Sequence, residues 1–301
     1  MADTDVLLRE MEKRLSGIYT RAQKEIGESW VEYLIGIDQE VSDLQIKYDN
    51  AKKSGNKEEA RKYGRQLSAV KRERTLGDEY YRDLTRQTAA QISAVNQTAV
   101  AYINGQLPEV YSLGYNGIAA NLNKEAYSGI SFTMVDANTV KSLVTEDKTL
   151  LPYKKINGRK DVRWNTQKIN SEVLQGILQG EPMPKVAKRL ENVLGMNETS
   201  AIRNARTAVT GAENRGRLDM LREADKNGVH TRKVWSAIHD NRTRHSHEEL
   251  DGQEAEIDEP FYSEFGEIMM PGDPDADPAD VYNCRCRLRY KIVGFERNVR
   301  G

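Results

Sequence analysis

Residues 6–48, VLLREMEKRLSGIYTRAQKEIGESWVEYLIGIDQEVSDLQIKY, decide the fold. Their apolar side chains fall at Leu8, Met11, Leu15, Ile18, Ala22, Ile26, Trp30, Tyr33, Ile37, Val41 and Leu44, always three or four positions apart. A helix turns once in 3.6 residues, so this spacing draws one apolar stripe along an otherwise charged cylinder. Ser54-Gly55-Asn56 interrupts it. A second stripe follows through Tyr63, Leu67, Val70, Tyr80, Leu84, Ile92, Val95, Ala99 and Ile103, with no proline before Pro108. The simplest geometry is a helical hairpin with arms of roughly 40 residues or more, its short polar turn bringing the stripes together. One narrow seam is little core for a free-standing domain. Residues 1–104 are therefore expected to form a long helical arm that docks to a partner, with Leu15, Trp30, Ile37, Leu67 and Leu84 on the docking face. The plainer alternative is a solvated antiparallel coiled coil.

Beyond the arm the punctuation changes. Gly114, Gly117, Gly129 and Pro152, with Tyr111, Tyr115, Tyr127 and Tyr153 scattered among them, suggest a linker-rich middle region over residues 105–164 with short helices. One of these starts near Asp136 or Asn138, either of which can cap it. Arg159–Trp164 reads as a short edge strand or a loop. Helices return over Asn165–Leu178, Met183–Leu194 and Glu198–Lys226, with Gly180 and Gly195 as stops. His230–Ala237 and Cys286–Val293 then alternate in strand fashion, closing a small α+β unit. The fold class is mainly α: a long N-terminal hairpin, a central helical bundle and a short C-terminal sheet.

The whole chain has 301 residues, 45 Lys+Arg against 46 Asp+Glu, and is 38% hydrophobic and 30% charged. Length permits about two domains. The balanced charge gives no global pull on phosphate, so nucleic acid is not indicated as a partner by charge. Two cysteines exclude a disulfide-rich scaffold. MADTDVLLREMEKR has no apolar run after a basic segment, so no signal peptide is expected, and no stretch approaches the roughly 20 apolar residues of a membrane span. A soluble protein made in a reducing compartment is the expectation.

Candidate chemistry lies between Trp235 and Tyr290. In an extended strand residues i and i+2 share a face, so the thiols of Cys284 and Cys286 can meet at one point. They would supply two of the four ligands of a tetrahedral ion, with His245 and His247 as natural candidates for the others and Asp251 or His239 behind them; zinc suits thiolate plus imidazole. Two small core residues entering a strand would look the same. His245 and His247 with Asp240, Glu248 and Asp251 can also be drawn as a metal-assisted hydrolase or nuclease centre. The same segment reads equally as a helix start, with Asp240 or Asn241 capping and Glu248 paired to Arg244. Asp273-x-Asp275-x-Asp277 fails as a calcium loop because Pro274 and Pro278 stiffen it and no acidic residue closes it. Arg206, Glu213 and Arg217 share a helix face, so internal ion pairing competes with phosphate binding there. No glycine-rich phosphate loop or nucleophile elbow occurs.

Five pieces in fixed order then carry a resemblance: Ala205-Arg206-Thr207; Lys233-Val234-Trp235; Asp240-x-Arg242-Thr243-Arg244-x-Ser246-His247-x-x-Leu250-Asp251-Gly252; Pro271-Gly272-Asp273-Pro274; and Asn283-Cys284-Arg285-Cys286. Over about residues 165–295 the chain resembles the phage Mu F-like minor head proteins, a family of phage head morphogenesis proteins. Ala208 stands where that pattern often has an acid. His247, Asp251, Cys284 and Cys286 match it, whereas His245 falls on a variable position and drops out as a ligand. The resemblance implies that 165–301 is a Mu F-like domain. It also implies a minor structural component of a tailed-phage head, not an enzyme, associated with the portal protein and with scaffold or major capsid protein. Such a protein would act in procapsid assembly and in DNA packaging or ejection, inside the virion head near the portal and in the host cytoplasm during assembly. Some relatives carry an additional ADP-ribosyltransferase domain, which is not expected here. The alternative is a metal-dependent hydrolase or nuclease built on His247, Asp251, Cys284 and Cys286.

Overall fold

The computed structural model describes residues 2–73, 79–125, 130–179, 181 and 183–296. Tyr127, Gly129 and Gly180, and the side chains of Ile37 and Tyr80, lie outside what is described. The first three helices are α1 (Ala2–Lys53), α2 (Lys57–Glu73) and α3 (Glu79–Glu125). The break falls where the sequence put it. Gly55 takes φ 71°, in the left-handed region that favours glycine, and Asn56 Oδ1 accepts the Glu59 N–H to start α2. After α4 (Ala137–Glu146) come α5 (Gly158–Leu178), α6 (Met183–Lys188) and α7 (Leu190–Lys226), then strand β1 (Val229–Ser236), α8 (His245–Leu250), β2 (Glu254–Ala255), β3 (Phe261–Ser263), β4 (Gly266–Ile268), α9 (Pro278–Val281) and β5 (Arg287–Phe295). Long N-terminal helices, a helical bundle and a small antiparallel sheet agree with the expected class. Among the described residues no helix is long and apolar enough to cross a membrane.

The chain divides into two units, each built from separate segments. One comprises Leu15–Ala99 and Ile156–Thr199. Here the periodic stripe closes on the chain itself. Trp30 is fully buried, meets Tyr81 edge-on at 5.8 Å between ring centroids, and donates its indole N–H to Thr88 Oγ1 at 2.8 Å. Leu15 and Leu67 are buried and Leu84 half-buried. The face expected to meet a partner is thus largely core, because α5, α6 and the start of α7 return to the same unit and supply the apolar surface that the arm lacks. A buried polar chain links four helices: Tyr19 donates to Asn96, Asn96 to Asn197, and Asn197 to Asn165, at 2.7, 2.7 and 2.9 Å. Burial, before anything else, pushes the Tyr19 hydroxyl well above its ordinary pKa.

Two expectations fail in this unit. Arg159–Trp164 is neither strand nor loop but the first turns of α5, because Asn157 accepts the Lys160 N–H and caps the helix. Gly195 does not stop a helix; α7 runs through it, and the break falls earlier, between Lys188 and Leu190.

The other unit comprises Met1–Arg14, Val100–Lys155 and Ser200–Gly301. Residues 106–125, expected to be linker-rich, are the second half of α3. Gly114 is a contact point instead of a break, and Gly117 is carried within the helix with open space beside it. A Cβ on Gly114 would lie 2.1 Å from the Glu213 carbonyl oxygen, and one on Gly216 would lie 2.2 Å from that of Tyr111, so α3 and α7 touch backbone to backbone. Asn116 and Asn123 on α3 each exchange two hydrogen bonds with the backbone, of Val135 and Phe132 respectively, strapping down the extended chain before α4. Asp136 caps α4 by accepting from the Thr139 N–H. The expected strands both appear, and they pair: the sheet order is β2-β1-β5, antiparallel, with Trp235 opposite Leu288. Beneath it Ile118, Leu122, Leu218, Leu221, Trp235 and Leu288 form the core. Lys233 is buried in the same row of β1, donating to the Met269 carbonyl at 2.8 Å above the Phe261 ring. Desolvation brings its pKa down to about 8.

Candidate metal centre

Three elements converge at the end of β1. Just before β5 the chain passes through Asn283-Cys284-Arg285-Cys286, and α7 holds this stretch by its backbone. Thr207 Oγ1 accepts the Asn283 N–H, Thr210 donates to the Cys284 carbonyl, and Asn214 donates to the Cys286 carbonyl while accepting the Leu288 N–H. Positions 207, 210 and 214 recur at helical spacing, so one face of α7 takes the place of a neighbouring strand. Asn283 turns the chain with φ 55°, which asparagine tolerates better than most side chains. Thr207 was singled out in the sequence; Thr210 and Asn214 were not, and their spacing from it was the available signal.

The second element is α8, which presents His247. The sequence expected Glu248 to pair with Arg244 and Asp240 or Asn241 to cap. Instead Arg244 itself is the N-cap and reaches the Tyr282 carbonyl. Asp240 accepts the Arg242 N–H and forms a bidentate pair with Arg285 at 2.6 and 2.7 Å, which holds its carboxyl well below the usual range. His245 is on the surface beside Glu249. The third element is the loop before α9. Gly272 of the Pro271-Gly272-Asp273-Pro274 stretch takes φ 77° and packs so tightly on α7 that a Cβ there would lie 2.6 Å from the Gly211 nitrogen. Asp273 closes the loop by accepting from the Met269 and Asp275 N–H groups.

His247, Cys284 and Cys286 come together. Their donor atoms lie within 4.8 Å of one another and all three residues are buried. His247 Nε2 lies 3.0 Å from the Asp280 backbone carbonyl, which can only accept, so the proton sits on Nε2. The other nitrogen, Nδ1, then faces Cys286 Sγ at 3.3 Å. Trp235 packs edge-on to the imidazole at 5.8 Å. Its buried indole N–H makes no well-formed hydrogen bond, yet it favours the thiolate form of Cys286. Cys286 is drawn down to about 5, first by the Cys284 thiol and then, against the effect of burial, by His247. Cys284 is pushed up correspondingly. Two cysteine sulfurs beside an imidazole nitrogen make a soft donor set. On a tetrahedral ion a sulfur and a nitrogen ligand stand about 3.6 Å apart, close to the separation found. A ligating histidine that donates its other N–H to a carbonyl is the usual supporting arrangement.

Asp251 is not part of this group. Its Oδ1 accepts the Ala237 N–H at 2.7 Å and its Oδ2 lies 2.9 Å from His239 Nε2, so it closes the turn between β1 and α8. Gly252, φ 77°, completes that turn by donating to the Trp235 carbonyl. Arg206 lies outside the centre, paired with Glu12 at 2.6 Å; Arg217 pairs with Glu213.

This motif set has relatives. The pattern described as Phage Mu protein F like protein matches residues 167–289. Minor head protein GP7 of Bacillus phage SPP1 is 30% identical over 294 residues, which is 97% of this chain and 89% of that protein. The chain belongs to the Mu F-like family. The NAD(+)--arginine ADP-ribosyltransferase EFV of Enterococcus faecalis is 24% identical over 205 residues, covering 66% of this Mu F-like chain and 40% of that protein. No solved structure matches the chain.

Proposed function

We propose that this Mu F-like protein is a minor structural component of a tailed-phage head that associates with the portal during procapsid assembly and acts without catalysis. The observation that carries the reading is the 30% identity to a minor head protein along nearly the whole chain, helices included. Scaffold or major capsid protein are further partners in this reading, the virion head near the portal its location, and DNA packaging or ejection its later stage. Ile35 and Ile46 remain exposed on α1 and would take over the docking role from the buried stripe. Co-purification of the full chain with portal oligomers tests this. Binding weakened by Ile46→Glu with unchanged thermal stability is the expected result, and absence of any association would sink the proposal.

The same reading gives His247 Nδ1, Cys284 and Cys286 to a zinc ion that staples the stretch before β5 to α8. Zinc would supply binding energy at that junction. Elemental analysis of protein purified under reducing conditions should find near one zinc per chain; none would leave the three as packing residues. A hydrolase reading has less support, since Asp251, its expected carboxylate, is engaged by Ala237 and His239.

A further inference from the structure

The three donors fill three of the four positions of a tetrahedral ion. Among the described residues no fourth histidine, cysteine or carboxylate joins them. The nearest acid, Asp280, is committed elsewhere: Ser246 donates to its Oδ1 and Ser263 to its Oδ2. What adjoins His247 and Cys286 instead is a cavity of about 20 Å³, lined also by Asn283, Arg242, Arg244 and Arg285. That volume holds about one water molecule.

The charges around it are unequal. Arg285 is neutralised by Asp240, and Arg242 reaches the same carboxylate only at 3.6 Å, with its side chain largely in solvent. Arg244 spends one N–H on the Tyr282 carbonyl, a neutral partner. Two guanidiniums thus share one carboxylate, and a third bonds a neutral carbonyl, beside a water-sized space. A divalent ion bound by two thiolates and a neutral imidazole carries no net charge of its own, so the arginines decide what comes next to it.

Resting on the zinc reading above, we propose that the centre is three-coordinate in protein ligands and takes an exogenous fourth ligand, a small monodentate anion or water, in the arginine-lined cavity. The site is then an exchangeable position and not a sealed staple. Structural zinc sites close all four positions with protein, whereas sites that exchange ligands keep one open.

Cobalt(II) loaded into the full chain under reducing, anaerobic conditions reports both matters separately. Thiolate-to-cobalt charge-transfer bands read whether Cys284 and Cys286 ligate, and the visible d–d bands read the fourth position. Azide, the probe, should shift the d–d bands saturably while the charge-transfer bands stay. Arg242→Gln, on the exposed rim, should weaken azide binding about threefold with cobalt loading unchanged, as expected for one partly screened charge. Unmoved d–d bands at high azide, with charge-transfer bands present, would overturn the open position and leave zinc binding intact. Absence of charge-transfer bands would overturn the metal reading itself and this inference with it.

Discussion

The unit around Trp30 and the corner around Cys286 are held together in different ways. In the first, regular helices meet through side chains that bond to other side chains: Trp30 to Thr88, and Tyr19 through Asn96 and Asn197 to Asn165. In the second, side chains of a regular helix bond to the backbone of an irregular segment, as Thr207, Thr210 and Asn214 do to residues 283–288. The helical unit can therefore be respecified by any residues that keep the stripe and its packing. The corner needs particular residues at particular places, because a free backbone amide or carbonyl accepts few substitutes.

Trp30→Ala should cost most, about 3–5 kcal/mol, since it empties a large buried volume and orphans the Thr88 contact. Chemical denaturation would read it, and a loss below about 1 kcal/mol would mean that the stripe is not the core of its unit. Asn214→Ala should cost about 2–3 kcal/mol, because it leaves the Cys286 carbonyl and the Leu288 N–H buried without partners. It should also loosen hydrogen exchange at Leu288 more than in α1. Equal loosening in both would erase the contrast. The smallest effect concerns Lys233. Its folded pKa of about 8 lies below the ordinary 10.5. Between those values the unfolded chain holds a proton that the folded chain has released, so stability rises with pH there. The wild type should gain about 1–2 kcal/mol relative to Lys233→Met between pH 8 and 10, and a flat difference would show the ammonium to be well accommodated.

Much of this was legible in the residues. The stripe from Leu8 to Leu44, the break at Gly55, the two strands and the meeting of His247 with both cysteines all follow from period, turn chemistry and motif order. What escaped had physical reasons. A glycine reads as a stop, but Gly114 and Gly216 sit inside helices because the opposing backbone leaves no room for a Cβ. Amphipathic spacing marks a buried face without saying what covers it, so Leu15 and Trp30 looked available to a partner. Asp251 matches the motif and closes a turn here, and pattern alone does not distinguish a turn-closing carboxylate from a ligand.

The pairing of β1 with β5 sets an order of events. Trp235 and Leu288 face each other across about fifty intervening residues, and Asp5 near the start of α1 meets Arg287 at 2.9 Å. Closing so long a loop costs entropy before any contact repays it, and such topologies fold slowly. During synthesis, then, Asp5 waits without Arg287 until β5 has been made, whereas Glu12 can meet Arg206 earlier. The cysteine corner is thus expected to be the last part of its unit to form.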